Sequence, residues 1–390
     1  MTTHVFIVDK TTFKLHLEYL FAGTGAKDNK IDFNNNSRTV LHQATESMLV
    51  GMIADASRIR RGDQIIFYLQ QNFPERIYEG KFYGIFKATE DWSFLDNNDR
   101  QQYLKNELEK SLTFRTLIEP YKVYAEGVTE WEALDEIKNM TSPNQMLWSL
   151  IYRKLKGNRG NTMITIYEAE RLMQLIRNKN NRTELNHENK VLSFDAAAQK
   201  IICLDEHPRA YAGRKEEINL LPRLIAKLSA GNSFEPHLQA YITKNLGKGM
   251  NINLDKTILN GAQIEWFGNE VSCGVGMQRI DVMPSIVRSD QRTLIPIELK
   301  TVEADEKNIV QVQRYVDWIE QYYIPNRQSD IQPVLIAKKL IDKQSTAYQR
   351  LIESFNRFNE VNQNRCMSLK YIEFDVQDNG LVFQEISCEN

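Results

Sequence analysis

The chain has 390 residues, 42% apolar and 26% charged, with a formal net charge of −2. That length suits two or three domains, and the composition excludes wholesale disorder and a globally basic coat, though not local basic patches. No uninterrupted apolar run reaches the ~18 residues of a membrane span, and MTTHVFIVDKTTFKLHLEYLF lacks the pattern of a signal peptide. The four cysteines form no CxxC pair and the six histidines no HExxH. Neither a disulfide framework nor a zinc site is suggested, so a reducing cytoplasm is the simplest location.

Taken in order, HVFIVD (4–9) reads as a strand and 40–60 as a helix. Arg61-Gly62-Asp63 turns into the buried strand DQIIFYL (63–69). IYEGKFYGIFKAT (77–89) carries the next strand or two, with Gly80 and Gly84 as bend points, and YKVYAEGVTEW (121–131) closes the set. Ser142-Pro143 marks a boundary near 140. MLWSLIYRKL (146–155) and TIYEAERLMQLIRN (165–178) have helical periodicity around the turn GNRGN, and 178–190 reads as a polar loop. Between 147 and 182 there are eight Lys/Arg and two Glu, a local net of +6.

From about 215 the pattern becomes α/β. INLLPRLIAKL (218–228) and FEPHLQAYITKNL (234–246) read as helices. QRIDVMPSIV (278–287), the turn 288–293 and LIPIELKTV (294–302) form a strand pair. NIVQVQRYVDWIEQYY (308–323) is a helix, followed by VLIAKKL (334–340), a helix over 345–359, and LKYIEFDV (369–376).

The chemistry concentrates in 235–315. Glu298 and Lys300 lie two apart in an apolar strand, so they share a face while Ile297 and Leu299 point into a core. Asp281, flanked by Ile280 and Val282, lies on the preceding strand, within reach of Glu298. Two carboxylates plus phosphate oxygens are a usual way of holding Mg²⁺, and a lysine beside them suits developing charge on phosphate. Two other ExK triplets, at 136–138 and 188–190, lie in polar surroundings. On spacing alone, a surface strand with a salt bridge is an equal reading.

The order FEPHLQAYI, QRIDVM, IPIELK, QVQRYV, VLIAKKL resembles the PD-(D/E)XK nuclease superfamily over about 215–380, and within it the RecB-like group typified by the NucS endonucleases. The resemblance implies an α/β nuclease core, a mixed sheet flanked by helices as in restriction endonucleases. It places Glu235, Asp281, Glu298, Lys300 and Gln311 on active-site positions, with Arg314 and Tyr315 completing the helix motif. It implies Mg²⁺, with Mn²⁺ able to substitute, held by Asp281 and Glu298. Two features depart from it or complicate it. Ile280 stands where the superfamily often has Pro, and Pro284 implies that its strand bends or lies at an edge. FEPH also reads as an ordinary helix start, with Pro236 in the first turn.

GDQIIFYLQ and IYEGKFYGIFKATEDW resemble, more weakly, the PUA superfamily and its EVE and YTH members. The implied domain is an α+β PUA-like β-barrel over 1–138 that binds nucleic acid and reads a base, modified or not, with aromatic side chains. Trp92 and Trp131 are the candidates for stacking on that base, against the plain alternative that each packs a core. Residues 139–214 read as a helical, partly basic linker, in which Arg153, Lys154, Lys156 and Arg159 are candidates for DNA-backbone contact; a merely solvated face is the alternative. Residues 215–390 read as the nuclease domain. The expectation is a Mg²⁺-dependent endonuclease of double-stranded DNA, in the manner of a restriction enzyme, with dependence on a modified base as the further step. Because cutting both strands needs two active sites, a homodimer on DNA is expected, and no membrane partner. The rivals are a repair endonuclease for mismatched or branched DNA and a non-catalytic nucleic-acid-binding module.

Overall fold

A computed structural model of the chain describes residues 1–25, 31, 43–147, 160–231, 234–273, 278–326 and 329–387. They divide into two units, the first drawn from 1–31 and 44–218, the second chiefly from 219 onward.

The first unit runs β1 (Thr3–Val8), α1 (Lys10–Glu18), β2 (Phe21–Thr24), α2 (Gln43–Ser57), β3 (Gln64–Leu69), β4 (Lys81–Ala88), β5 (Phe94–Leu95), α3 (Lys105–Leu108), β6 (Phe114–Pro120), β7 (Val128–Thr129), α4 (Glu130–Asp135), β8 (Asn161–Ile164), α5 (Ile166–Lys179), β9 (Val191–Asp195) and β10 (Lys200–Leu204). Its main sheet has the order β2-β6-β4-β3-β1-β8, with β5 added on β6 and β7 on β4. It is a curled half-barrel, not a closed one: β2 and β8 lie at opposite ends of the strand order. The two glycines of β4's sequence have separate jobs. At Gly80 a Cβ would lie 2.1 Å from Tyr68 Oη. Gly84, with φ +156°, sits at the register shift opposite Ile65 and Ile66.

The turn before β3 is fixed by Asp63, whose carboxylate accepts from Thr2 N at 2.9 Å and Arg60 N at 3.0 Å, while Gly62 supplies a φ of +82°. Residues 160–214, expected in a linker, are part of this unit. β8 pairs antiparallel with β1, and Leu172 and Ile176 of α5 pack beside Val5, Ile66 and Tyr68. The β9–β10 hairpin, absent from the sequence reading, brings Phe194 to 4.8 Å from Phe13 of α1.

His16 of α1 is buried between backbone partners. Its Nδ1 meets the Thr12 carbonyl, and its Nε2 accepts from Gly23 N at 2.8 Å. Burial holds its pKa down at about 4. The folded value lies below the unfolded one, so the unfolded chain takes the proton first, and stability falls as pH drops from about 6.5 towards 4. The expected loss is about 3 kcal/mol. Urea unfolding of His16→Gln should lack that part of the pH dependence. His4, also lowered by burial, remains in both proteins.

The second unit runs α6 (Leu221–Ser229), α7 (Glu235–Asn245), α8 (Ile252–Ile258), β11 (Gln263–Ser272), β12 (Arg279–Arg288), β13 (Gln291–Leu294), β14 (Ile297–Leu299), α9 (Glu306–Trp318), β15 (Asp330–Ile331), β16 (Val334–Lys338), α10 (Thr346–Asn362), β17 (Lys370–Gln377) and β18 (Gly380–Ile386). Its mixed sheet has the order β15-β13-β12-β14-β16-β17-β18, with β11 also on β12. One face presents Val282, Ile297, Leu299, Val334, Ile336, Ile372 and Phe374 to a core shared with Leu238, Ile242 and Leu246. Both units are therefore mixed sheets with flanking helices. No helix among the described residues is long and apolar enough to cross a membrane.

Pro284 does not lie at an edge. It pairs with Phe267 of β11, and its carbonyl accepts from Ile295 N at 2.9 Å. Its backbone thus faces the break between β13 and β14, where Pro296 interrupts the neighbouring ladder. A missing N–H is tolerated there inside the sheet.

Candidate active site

The site starts from strand register. Val282 pairs with Ile297 across the antiparallel β12–β14 contact. Both side chains enter the core, so Asp281 and Glu298, the next pair in register, project together to the opposite face. β14 then turns its hydrogen bonding towards β16: Lys300 N donates to Ile336 O at 2.8 Å. The Leu299 N–H, left pointing back at β12, is taken by Asp281 Oδ2 at 2.8 Å. Asp281 therefore completes the backbone where the strands part, which fixes its carboxylate beside Glu298.

Glu298 is 0% exposed. Its Oε2 lies 2.5 Å from Tyr315 Oη of α9. The same hydroxyl is 2.9 Å from the Arg279 carbonyl and accepts from Gln311 Nε2 at 2.9 Å. Glu298 Oε1 lies 2.5 Å from Lys300 Nζ. At that distance the ammonium is the close charged partner of Oε1. The α7 N-terminus supplies Glu235, whose Oε2 is 3.7 Å from Lys300 Nζ. One turn on, Gln239 Nε2 donates to the Asp281 carbonyl at 2.8 Å.

The electrostatics follow from crowding. Burial first, and then the Glu298 charge, push the Asp281 carboxyl well above the usual carboxylate range; the Leu299 N–H and Lys300 only partly offset this. Burial also raises Glu298, against Lys300 and Tyr315. Burial alone would lower Lys300, but Glu298 foremost, then Glu235 and Asp281, outweigh it and hold the ammonium above its ordinary value. Burial and Glu298 raise the Tyr315 phenol, so it stays protonated and donates.

Two neighbouring carboxylates are the kind of donor a hard divalent cation takes, one or two from the protein with its remaining positions filled by water and phosphate. Among the described residues, no group of three or more His, Cys, Asp or Glu side chains is gathered as a metal site.

Of the residues expected from sequence, Asp281, Glu298, Lys300 and Glu235 are brought together. Glu235 is both the helix start, with Pro236 in the first turn, and a partner of Lys300. Gln311 is expected on the nucleophile or phosphate, but its amide is engaged by Tyr315 instead. Arg314 is exposed. Gln239 and the role of Tyr315 escape the sequence reading; the i,i+4 spacing of Gln239 from Glu235 was the available signal. Tyr315→Phe removes the proton given to Glu298. It should leave the fold within about 1 kcal/mol, read by urea unfolding.

Trp92, in the loop between β4 and β5, is 53% exposed, and Trp131, in the first turn of α4, is 63% exposed. Neither makes a ring contact with another aromatic side chain among the described residues. Arg153, Lys154, Lys156 and Arg159 lie outside the described residues. Elsewhere in that basic stretch, Arg171 pairs with Glu136, and Lys179 lies 2.6 Å from Glu132, which consumes part of its charge.

No family model matches the chain, and no match is found among curated proteins. Two solved structures are similar over nearly their whole length. A hypothetical protein from Leishmania major is 10% identical, covering 46% of this chain and 96% of its own, with a TM-score of 0.29. Human THYN1 protein, in complex with 5-methylcytosine containing DNA, is 10% identical, covering 45% of this chain and 97% of its own, with a TM-score of 0.26. TM-scores of this size do not establish a shared fold.

Proposed function

We propose that this chain is a metal-dependent endonuclease acting on double-stranded DNA, with its hydrolytic site at Asp281, Glu298 and Lys300. The observation that carries the reading is the placement of two crowded, raised carboxylates and a retained ammonium at one strand edge. Such an arrangement is costly to the fold, and a purely structural role does not need it. The resemblance of 215–380 to PD-(D/E)XK nucleases points the same way.

Asp281 and Glu298 are the residues that would hold Mg²⁺ or Mn²⁺, which when bound would supply charge neutralisation at the scissile phosphate and lower the pKa of water. The protein's own groups do the rest. Leu299 N–H orients the Asp281 carboxylate, and Gln239 secures that residue's backbone. Tyr315, backed by Gln311, sets the rotamer of Glu298. Lys300, held protonated, is poorly suited to act as a base; it offers positive charge to the phosphate oxygens as the P–O bond to the leaving group breaks. Glu235 is the second, more distant anionic partner of Lys300, 3.7 Å away against 2.5 Å for Glu298. The half-barrel unit is assigned to DNA recognition, in the manner of PUA-like domains, and a dimer on DNA to cutting both strands.

The test is incubation of the full chain with Mg²⁺ and a panel of phage genomes carrying different base modifications, beside plain and mismatched duplexes. Discrete fragments that vanish with EDTA are expected. Cutting confined to mismatched duplexes would assign a repair role. Binding without cleavage of any DNA would leave a binding module and contradict the reading.

A further inference from the structure

The first unit ends in a strap. After β10, residues 205–215 belong to no helix or strand, and Ala210 and Ala212 on it are exposed. Between them the Tyr211 ring turns inward against three others, with centroids 5.6 Å from Phe21, 5.4 Å from Phe94 and 5.1 Å from Tyr103. Gly213 lets the strap double back over that ring, since a Cβ there would lie 2.5 Å from Tyr211 Cζ. Side chains hold the strap down: Arg209 on Glu18, and Arg214 on Asp96 and Asp99, ahead of the Leu95–Glu216 bridge.

Beneath the ring lies a polar floor. Tyr211 Oη accepts from Arg115 Nη1 at 3.3 Å and donates to Asp96 Oδ2 at 3.2 Å, and it also faces Arg214 O at 3.4 Å. The Arg115 and Asp96 side chains are 0% exposed. A ring that only plugs a core needs no such floor, because buried charges cost the fold unless they are bonded. The floor is also fixed by other partners. Arg115 Nε donates to Leu112 O and Nη2 to Tyr103 O, both at 2.7 Å, and Asp96 Oδ2 accepts from Tyr103 N at 3.0 Å. Without Tyr211 it would still present one donor and one acceptor, side by side, at the end of an aromatic cage.

The outline of the occupant names the ligand. The phenol is one six-membered ring, joined to the chain at one end and carrying its polar group para to that bond. A pyrimidine nucleotide has the same outline, with its 4-substituent para to the glycosidic N1. Cytosine gives N4–H to an acceptor and takes a donor at N3; thymine takes a donor at O4 and gives N3–H. Either edge pairs with Arg115 and Asp96, while the second ring of a purine exceeds the phenol's place. One cation and one anion make up the floor, which suits a neutral base. The strap 205–216 carries three cations and three anions, so its departure leaves the net charge there unchanged.

We propose that Tyr211 is a built-in pseudo-ligand: its ring occupies a cage for a flipped pyrimidine, walled by Phe21, Phe94 and Tyr103 and read by Arg115 and Asp96, and the strap lifts when such a base enters. This inference rests on the assignment of the first unit to DNA recognition.

The test uses duplexes with one bulged cytosine, thymine, adenine or guanine and a fully paired control, each titrated in EDTA with the full chain, wild type or Tyr211→Ala, and followed by fluorescence anisotropy. Tyr211→Ala should bind the pyrimidine bulges at least fivefold tighter than wild type does, because the self-occupied fraction no longer competes. Purine bulges and the paired control should stay within twofold. In wild type, nitration of Tyr211 by tetranitromethane, read by mass spectrometry, should rise at least fivefold with saturating cytosine-bulge duplex and not with the paired control. That readout needs no substitution, so it decides the matter if Tyr211→Ala fails to fold. Unchanged nitration with the cytosine bulge bound, or a folded Tyr211→Ala that binds every duplex as wild type does, overturns the proposal whether or not wild type cleaves. A gain as large for purine bulges overturns the choice of base. Pyrimidine-dependent release of Tyr211 in a protein that cuts no DNA keeps the cage and sinks the endonuclease reading. No binding to any duplex removes both.

Discussion

Asp281→Asn is expected to abolish cleavage by at least ~10³-fold while making the metal-free protein more stable. The loss of rate follows from removing one of two anionic oxygen donors, worth about 4 kcal/mol of barrier at that fold-change. The gain in stability has a separate cause. Burial and the Glu298 charge raise the Asp281 carboxyl in the folded chain. A carboxyl whose folded pKa lies above its unfolded one weakens the fold as pH rises from the ordinary carboxylate range through the raised value. The amide carries no charge to weaken it, and its oxygen still accepts from Leu299 N. A gain of about 1 kcal/mol, or roughly 2–4 °C in Tm, is expected. Mg²⁺ should raise the Tm of wild type and leave Asp281→Asn unmoved, because a ligand stabilises only the state that binds it. Asp281→Ala should lose the same activity but also about 1–3 kcal/mol of stability, since the Leu299 N–H is left without a partner. If Asp281→Asn cleaves normally with Mg²⁺, the site is elsewhere.

Lys300→Met is the second large effect. A drop of about 10²–10³-fold in kcat is expected, with KM for DNA little changed, because a charge aimed at the reacting phosphate acts in the transition state. Cation affinity should hold or tighten: the ammonium that sits 2.5 Å from Glu298 Oε1 is then gone, and the oxygen is free for the ion. This pattern separates a lysine that serves the phosphate from one that merely balances charge, whose removal would leave kcat intact. Lys300→Arg should not restore the rate, since a planar guanidinium does not replace a compact ammonium wedged between Glu298 and Glu235.

The site was more legible in sequence than the fold around it. Alternation around Ile280-Asp281-Val282 and Ile297-Glu298-Leu299 states which side chains enter the core, and the register follows once the two strands pair. The helix carrying Tyr315 is plain from its period, but that its hydroxyl, rather than Gln311, reaches the acidic cluster depends on tertiary packing that the period does not encode. That Pro284 sits inside the sheet and not at its edge depends on the break at Pro296 in a neighbouring strand, which local sequence does not show. Residues 160–214 were mistaken for a linker because β8 is four residues long and gains its place only by pairing with β1, more than 150 residues away. The missed β11 carries a polar sequence with a bulge between Ile264 and Trp266, which breaks the alternation that marks a strand.

In the proposed mechanism Asp281 and Glu298 together grip one divalent cation. Titration of the full chain with Mn²⁺, followed by electron paramagnetic resonance of the free ion, measures this without any substrate. One bound Mn²⁺ per chain is expected in wild type, displaced by Mg²⁺ and lost in both Asp281→Asn and Glu298→Gln. Wild type that binds no Mn²⁺, or variants that bind it as wild type does, would contradict it.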